Sequence, residues 1–331
     1  MTSDCARDSP KAIFIAFRAD GLKGSVTRAN PFDGSTKQKF DSILRNRSER
    51  GETDLIVCIG AGTFETEGAY DYIIGVGHQS GHEAGFTVGK NWKIHGAGSG
   101  VVGTTLRLAD IYPTPRHGFP LAGTVFSTIS DSASGVEISD LAIDDNYKAI
   151  PGANLAAISL RSDAGNNWIH RINVINSEGK VSETFPVSIV SVNFRKPPSQ
   201  NNVIEHVTMS NWGGGLCTAI ALGNAVAEVR YNTVNGYQIA FGGWALGAAW
   251  FHDNTAIDSQ YGFNIDSDAN DGVIIQNNQI IHPLKYGIVI GGGARYANFK
   301  ILSNTIEINS SLAEGILFQG NVTNAAIERN R

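Results

Sequence analysis

Apolar residues alternate along this chain in short runs, and the runs recur. Anchored on the residue between two apolar flanks, VRYNTV gives Asn232, WFHDNTA gives Asn254 and IIQNNQI gives Asn278. KILSNTI and AIERNR continue the series with Asn304 and Asn330. The steps are 22, 24, 26 and 26 residues. Upstream, VIEHVTM, WIHRINV and VEISDLAI keep the same frame with Val207, Ile172 and Leu141 in the anchor position. A second string precedes each later corner: TAIALG (218–223), YQIAFGG (237–243), YGFNID (261–266), YGIVIGG (286–292) and EGILFQG (314–320). Self-similarity at this period signals a solenoid. Alternation inside runs of a few residues makes its elements strands, and regularly spaced Leu is absent, which excludes leucine-rich repeats.

Three short strands per repeat, stacked in parallel, make an all-β, right-handed parallel β-helix. The corner Asn fits that architecture in two ways. Asn tolerates the left-handed backbone of a tight corner, and its amide can satisfy buried backbone groups there. Stacked at roughly 4.8 Å per coil, successive Asn side chains should form a hydrogen-bonded ladder. An open coil end needs a cap. STKQKFDSILRNRSERGE (35–52) supplies one as an amphipathic helix, with Ser35 and Gln38 at capping-box spacing and Phe40, Ile43 and Leu44 on one face. The expected organisation of residues 1–331 is a single domain. Residues 1–53 form an N-terminal segment and capping helix, 54–135 opening coils with loop insertions, and 136–331 regular coils. The chain ends at Arg331, one residue past a corner, which points to a homo-oligomer or a C-terminal continuation covering the last coil.

Composition narrows the partners. The net charge of −5 gives no basic field for nucleic acid. Three cysteines without CxxC spacing argue against a disulfide framework or a zinc site. IFIAF (13–17) is too short for a signal peptide or a membrane span, and a secreted or cell-surface location is expected with any export signal outside this chain.

DGSTKQKFDSIL, IVCIGAGTFET, WKIHGAGSGVVGTTLRL and VEISDLAIDDN follow one another in an order that resembles the N-terminal helix and first coils of the pectate-lyase-like superfamily. The likeness covers about residues 20–331. It implies the β-helix fold and a polysaccharide or oligosaccharide partner, but its members include lyases, hydrolases, epimerases, tailspikes and non-catalytic surface proteins. The enzymatic signatures are absent. The galacturonan hydrolase set is represented only by the adjacent pair Asp144-Asp145, out of order, and the Asp-Pro-His of alginate epimerases is missing.

The resemblance implies a substrate groove along the strand set AISLR, AIALG, YQIAFG, YGFNID, YGIVIG and EGILFQG. Alternation points Ile158, Leu160, Ile220, Leu222, Ile239, Phe241, Phe263 and Ile265 inward. The outward residues are mostly small, apart from Asn264 and Asp266, with Gly242 expected below Asp266 and Gly291 above it. Asp266, Asp268 and Lys285 are the catalytic candidates. Paired carboxylates can divide acid and base roles, and a lysine of lowered pKa can act as the base of a β-elimination. Clustered carboxyl oxygens with Asp271 make calcium a candidate cofactor, with no metal ligand set defined. Candidate substrate contacts are Asn264, Arg161, Asp163, Trp212, Tyr261, Tyr286, Asp144 and Asp145. Arg161 falls four coils from Asp266, too far to work on the same bond. His170, His206 and His252 flank the corner on a different side of the coil and read as structural. Two functions follow: an enzyme cleaving or modifying a polysaccharide, uronate-containing polymers included, and a non-catalytic glycan-binding, adhesion or surface module.

Overall fold

The computed structural model describes residues 5, 9–20, 22–70, 85–109, 122–128, 134–146, 149, 154–162, 164–177, 185–191, 198–211, 217–244, 246–266, 269–292 and 295–331. It is a right-handed parallel β-helix with a helix at its N-terminal end, as expected. One long sheet takes the strands on both sides of the Asn corner, and a second, nine-stranded sheet takes the strands that precede each variable loop. Three short strands (Ala269–Asp271, Arg295–Ala297 and Val322–Thr323) stack in a third sheet. Inward side chains form one continuous apolar core from Ile13 to Ile301. Stacked aromatics such as Phe241 on Phe263, 4.9 Å between ring centroids, run through it.

The Asn ladder is present. The Nδ2 of Asn232, Asn254, Asn278 and Asn304 each donates to the Oδ1 of the next Asn at 2.9–3.0 Å. Each amide also donates to a buried carbonyl, as Asn278 does to Phe251 O at 3.0 Å. The backbone reason for Asn is different from the expected one. The left-handed residue is the one before each ladder Asn: Tyr231, Asp253, Asn277, Ser303 and Arg329, all near φ 55°. The ladder positions are therefore chosen for the amide, and their predecessors carry the turn. A second, shorter pairing joins Asn167 Nδ2 to Asn202 Oδ1 at 2.9 Å at another corner.

The N-terminal end differs from expectation in three places. The coil begins before the helix: Ala12–Ala16, containing most of IFIAF, pairs in parallel with both Phe32–Asp33 and Ile56–Ile59. The helix α1 spans Lys37–Glu49, and its N-cap is Thr36, whose hydroxyl accepts from Lys39 N at 3.3 Å. Ser35 is thus one residue outside the cap, and the capping box with Gln38 does not form. Phe40 and Leu44 are buried beneath α1, with Asp41 beside them. Its carboxyl accepts from Thr66 Oγ1 and Glu67 N, while burial pushes it up to about 6. Finally, Cys5 and Cys58 form a disulfide. An odd cysteine count concealed a pair 53 residues apart, brought together where Cys58 sits opposite Phe14 in neighbouring coils.

Candidate functional site

The nine-stranded sheet has two lines of residues facing away from the core, the first of them buried except at the half-buried Asn264 and Leu317. The first runs Ser159–Ser188–Ala221–Gly242–Asn264–Val289–Leu317. The second runs Arg161–Val190–Gly223–Trp244 and, after the coil of Asp266, continues at Gly291–Gln319. Strand Ile239–Trp244 thus sits two residues out of the expected frame: Gly242 lies beneath Asn264, not Asp266. Ile239 pairs with Tyr261 and is half-buried instead of filling the core. The residue beneath Asp266 in this register is Trp244, which sequence reasoning missed. The signal was the GGW that extends YQIAFGG past the length of its neighbours.

Trp244, half-buried, is held against the sheet over Gly223. A Cβ at Gly223 would come within 2.6 Å of its indole, so only glycine lets the ring lie there, and Phe185 packs against it at 5.0 Å. Asp266 is exposed, with its backbone N donating to Gly243 O at 3.0 Å. Its Oδ1 fits against Gly292, where a Cβ would stand 1.8 Å away and φ is +94°. Asn264, half-buried, shares this face two residues before Asp266.

The opposite end of the same strands carries a second group. Tyr261 and Tyr286 are register partners with rings stacked at 5.8 Å and 20°. Lys285 Nζ, on an exposed side chain, lies 5.8 Å from the Tyr261 centroid, a cation–π contact on a half-buried aromatic pair. Asp266 follows Tyr261 by five residues, about 16 Å at ~3.3 Å per residue. Asp266 and Lys285 therefore occupy opposite ends of the groove strand, and a single glycosidic bond does not reach both.

The remaining candidates divide. Arg161 faces outward but is 7% exposed, its backbone NH donating to Thr128 Oγ1 at 2.6 Å. Asp144 accepts from Asn146 N and Asn176 Nδ2 at 2.9 Å each, with Arg107 Nε 3.8 Å away. It serves the corner of its own coil. Asp145 is fully buried and does not reach the groove. Burial pushes its carboxyl up to about 8; the hydroxyl of Ser177 offsets part of that shift and the charge of Asp144 adds to it. Tyr237, in the same core region, is pushed well above its usual value, first by burial. Asp163, Trp212 and Asp268 lie outside the described residues.

Calcium has no ligand set among the described residues, where no three His, Cys, Asp or Glu side chains converge. Asp271 is engaged by Asn298 Nδ2 at 2.7 Å. A cavity of about 390 Å³ lies far from the groove, between α1 and Phe32–Asp33, with Lys23, Lys39, Arg47 and Arg50 in its wall. Two of those cations are already paired, Lys39 with Asp33 and Arg47 with Glu52.

The histidines expected to be structural sit in an organised surface on the long sheet, where Trp168 and Trp250 also stand exposed. Sequence reasoning passed over the signal, the repeated W-x-H of WIH (168–170) and WFH (250–252).

No protein-family model matches the sequence, and no curated protein matches it significantly. Solved structures do. The chain is similar to the DFA-IIIase of Arthrobacter chlorophenolicus A6 solved with GF2, at a TM-score of 0.58 and 10% identity, over 96% of this chain and 83% of that one. It is similar to the family 28 exopolygalacturonase of Yersinia enterocolitica at 0.56 and 10%, over 98% and 76%. A third match is the endo-xylogalacturonan hydrolase of Aspergillus tubingensis, at 0.53 and 12%, over 96% and 93%. At these identities the likeness is one of fold.

Proposed function

We propose that this chain, a right-handed β-helix of the pectate-lyase-like superfamily, is a carbohydrate-active protein that holds a polysaccharide along its groove sheet. The observation that carries the reading is the Tyr261–Tyr286 stack with Lys285 above it. The open parts of these half-buried rings can take the C–H faces of sugars, and the exposed ammonium group beside them takes a carboxylate, so a uronate-containing polymer is the expected ligand. At the other end of the strand lie Asn264 and Asp266, which can orient hydroxyls, and one coil before them Trp244 lays its ring over Gly223. The matched structures named for polygalacturonate and xylogalacturonan chemistry support the ligand class. The Cys5–Cys58 disulfide supports an oxidising, extracellular setting.

Catalysis would fall to Asp266 with Asp268, as an acid–base pair at the Trp244 end, while Lys285 positions the chain. A non-catalytic glycan-binding module is the second reading, favoured by the separation of Asp266 from Lys285 along the strand. One experiment tests both. Polygalacturonate, alginate and neutral polymers are incubated with the protein, with and without calcium, and followed for unsaturated-uronate absorbance and new reducing ends. Retention of the protein by each polymer is measured alongside. Uronate retention lost in Lys285→Ala and Tyr286→Ala supports the groove; equal retention in those variants sinks it. Product formation abolished in Asp266→Asn with retention unchanged makes the protein an enzyme, and retention without product makes it a binding module.

A further inference from the structure

The outward face of the long sheet repeats one three-part unit. Trp168 stacks on His170 at 3.8 Å and 18°, and His170 Nε2 meets Glu137 Oε1 of the preceding coil at 3.1 Å. Trp250 stacks on His252 at 3.9 Å and 29°, and His252 Nε2 meets Glu228 Oε1 of the preceding coil at 2.8 Å. The two tryptophans share one register line, Trp168–Val203–Glu228–Trp250. That places them three coils apart, about 14 Å at ~4.8 Å per coil.

The histidines are buried, at 2% and 6% exposure, and the indoles are not, at 38% and 40%. Each imidazole backs one face of its indole, and part of the ring stays open to solvent. Trp168 is fixed further by Nε1 donating to Glu205 Oε1 at 2.9 Å. Between the two units Tyr231, 48% exposed, stacks on His206 at 5.2 Å. Core packing needs none of these rings at the surface. Rigid, exposed rings that lose little freedom on binding are what a recognition surface uses.

We infer that this face is a second glycan-binding site, distinct from the groove, and that its ligand is a neutral oligosaccharide spanning Trp168 and Trp250. Charge decides the class. On and beside the register lines from Glu137 to His252, the carboxylates are Glu137, Asp140, Glu205, Glu228 and Asp253, against the cations Lys93, Arg171 and Arg230. Arg230 is itself held by Glu205 at 2.6 Å and Glu228 at 2.7 Å. Each of these cations is paired with a carboxylate of the same face, which leaves the surface net negative and disfavours uronates, while the indoles take the pyranose faces. The length between the rings accommodates a few sugar units.

The test is affinity electrophoresis of the whole chain in gels containing xylan, galactan, mannan, a mixed-linkage glucan or polygalacturonate. At least one neutral polymer should retard the wild type. Trp168→Ala/Trp250→Ala should weaken that retardation about tenfold, the scale of two lost ring stacks, and Tyr261→Ala/Tyr286→Ala should leave it unchanged. Trp168→Phe/Trp250→Phe keeps a ring on each histidine, so it controls for folding and should give an intermediate loss. The inference is overturned if no neutral polymer retards the wild type, or if the double Ala variant migrates as the wild type. It is also overturned if the Tyr pair abolishes neutral binding, since the groove would then be the site. A change of molar mass in light scattering on removing the tryptophans would overturn it too, in favour of an interface between copies.

Discussion

Replacing Asn278 by Ala tests whether the ladder stabilises the coil through its amides. Asn278 is 1% exposed and makes four hydrogen bonds with its side chain. Nδ2 donates to Phe251 O and to Asn304 Oδ1 at 3.0 Å, and Oδ1 accepts from the Asn254 backbone N at 2.9 Å and from Asn254 Nδ2 at 3.0 Å. Ala removes all four and strands the Asn254 donors in the interior. Each buried group left without a partner costs about 1–3 kcal/mol, so the expected loss is about 4 kcal/mol. The neighbouring Asn277, at φ 55°, separates the amide account from the backbone account. Asn277→Ala keeps the ladder and loses only left-handed tolerance, about 1 kcal/mol. Urea unfolding followed by circular dichroism gives both values, provided the slope against urea is unchanged. An Asn278→Ala loss no larger than that of Asn277→Ala would refute the ladder as an energetic device.

Asp145→Asn should change how stability depends on pH. The Asp145 carboxyl titrates near 8 in the fold and near 3.8 unfolded, so its contribution is full below about pH 4. It is lost as pH rises through 8, at about 1.4 kcal/mol per pH unit between those values. Paired carboxylates held low, such as Glu205 beside Arg230, act with the opposite sign, so the difference between wild type and Asp145→Asn between pH 5 and 9 isolates the term. A flat difference would refute it. The Cys5–Cys58 disulfide closes a separation of 53 residues, for which loop-closure entropy gives about 4 kcal/mol. Reductant or Cys58→Ser should lower unfolding stability by up to that amount, and an unchanged urea midpoint would contradict the estimate.

Periodicity made the fold legible because the β-helix repeats one local problem on every coil. Each inward position must be apolar and each buried corner amide must find a partner, and IIQNNQI, KILSNTI and WFHDNTA solve that problem in the same way. What periodicity left open was which residue of a corner bears which duty. In Asn277-Asn278 the first takes the left-handed backbone and the second the hydrogen bonds, and composition does not distinguish them. The disulfide was hidden for a related reason: its proximity comes from coil stacking, not from spacing along the chain.

The candidate site was less legible because outward positions obey no repeat. A two-residue offset in one strand, Ile239–Trp244, moved a glycine from beneath Asp266 and put Trp244 there, an aromatic ring in place of an expected open space. The same limit explains Asp145, which sits beside Asp144 in the sequence but on the opposite side of the wall. Adjacent residues at a coil corner face in and out, so an Asp-Asp pair resembling a catalytic motif is split between the core and the Asn146–Asn176 turn. The histidines show the converse. His170 and His252 lie beside the corner and are buried, so the structural reading fits them. They nevertheless hold two indoles in the same pose on one face, and only the stacking of coils brings those repeats into line. In a solenoid, function is written across coils at fixed register, and a residue's role depends on what stands one and three coils away.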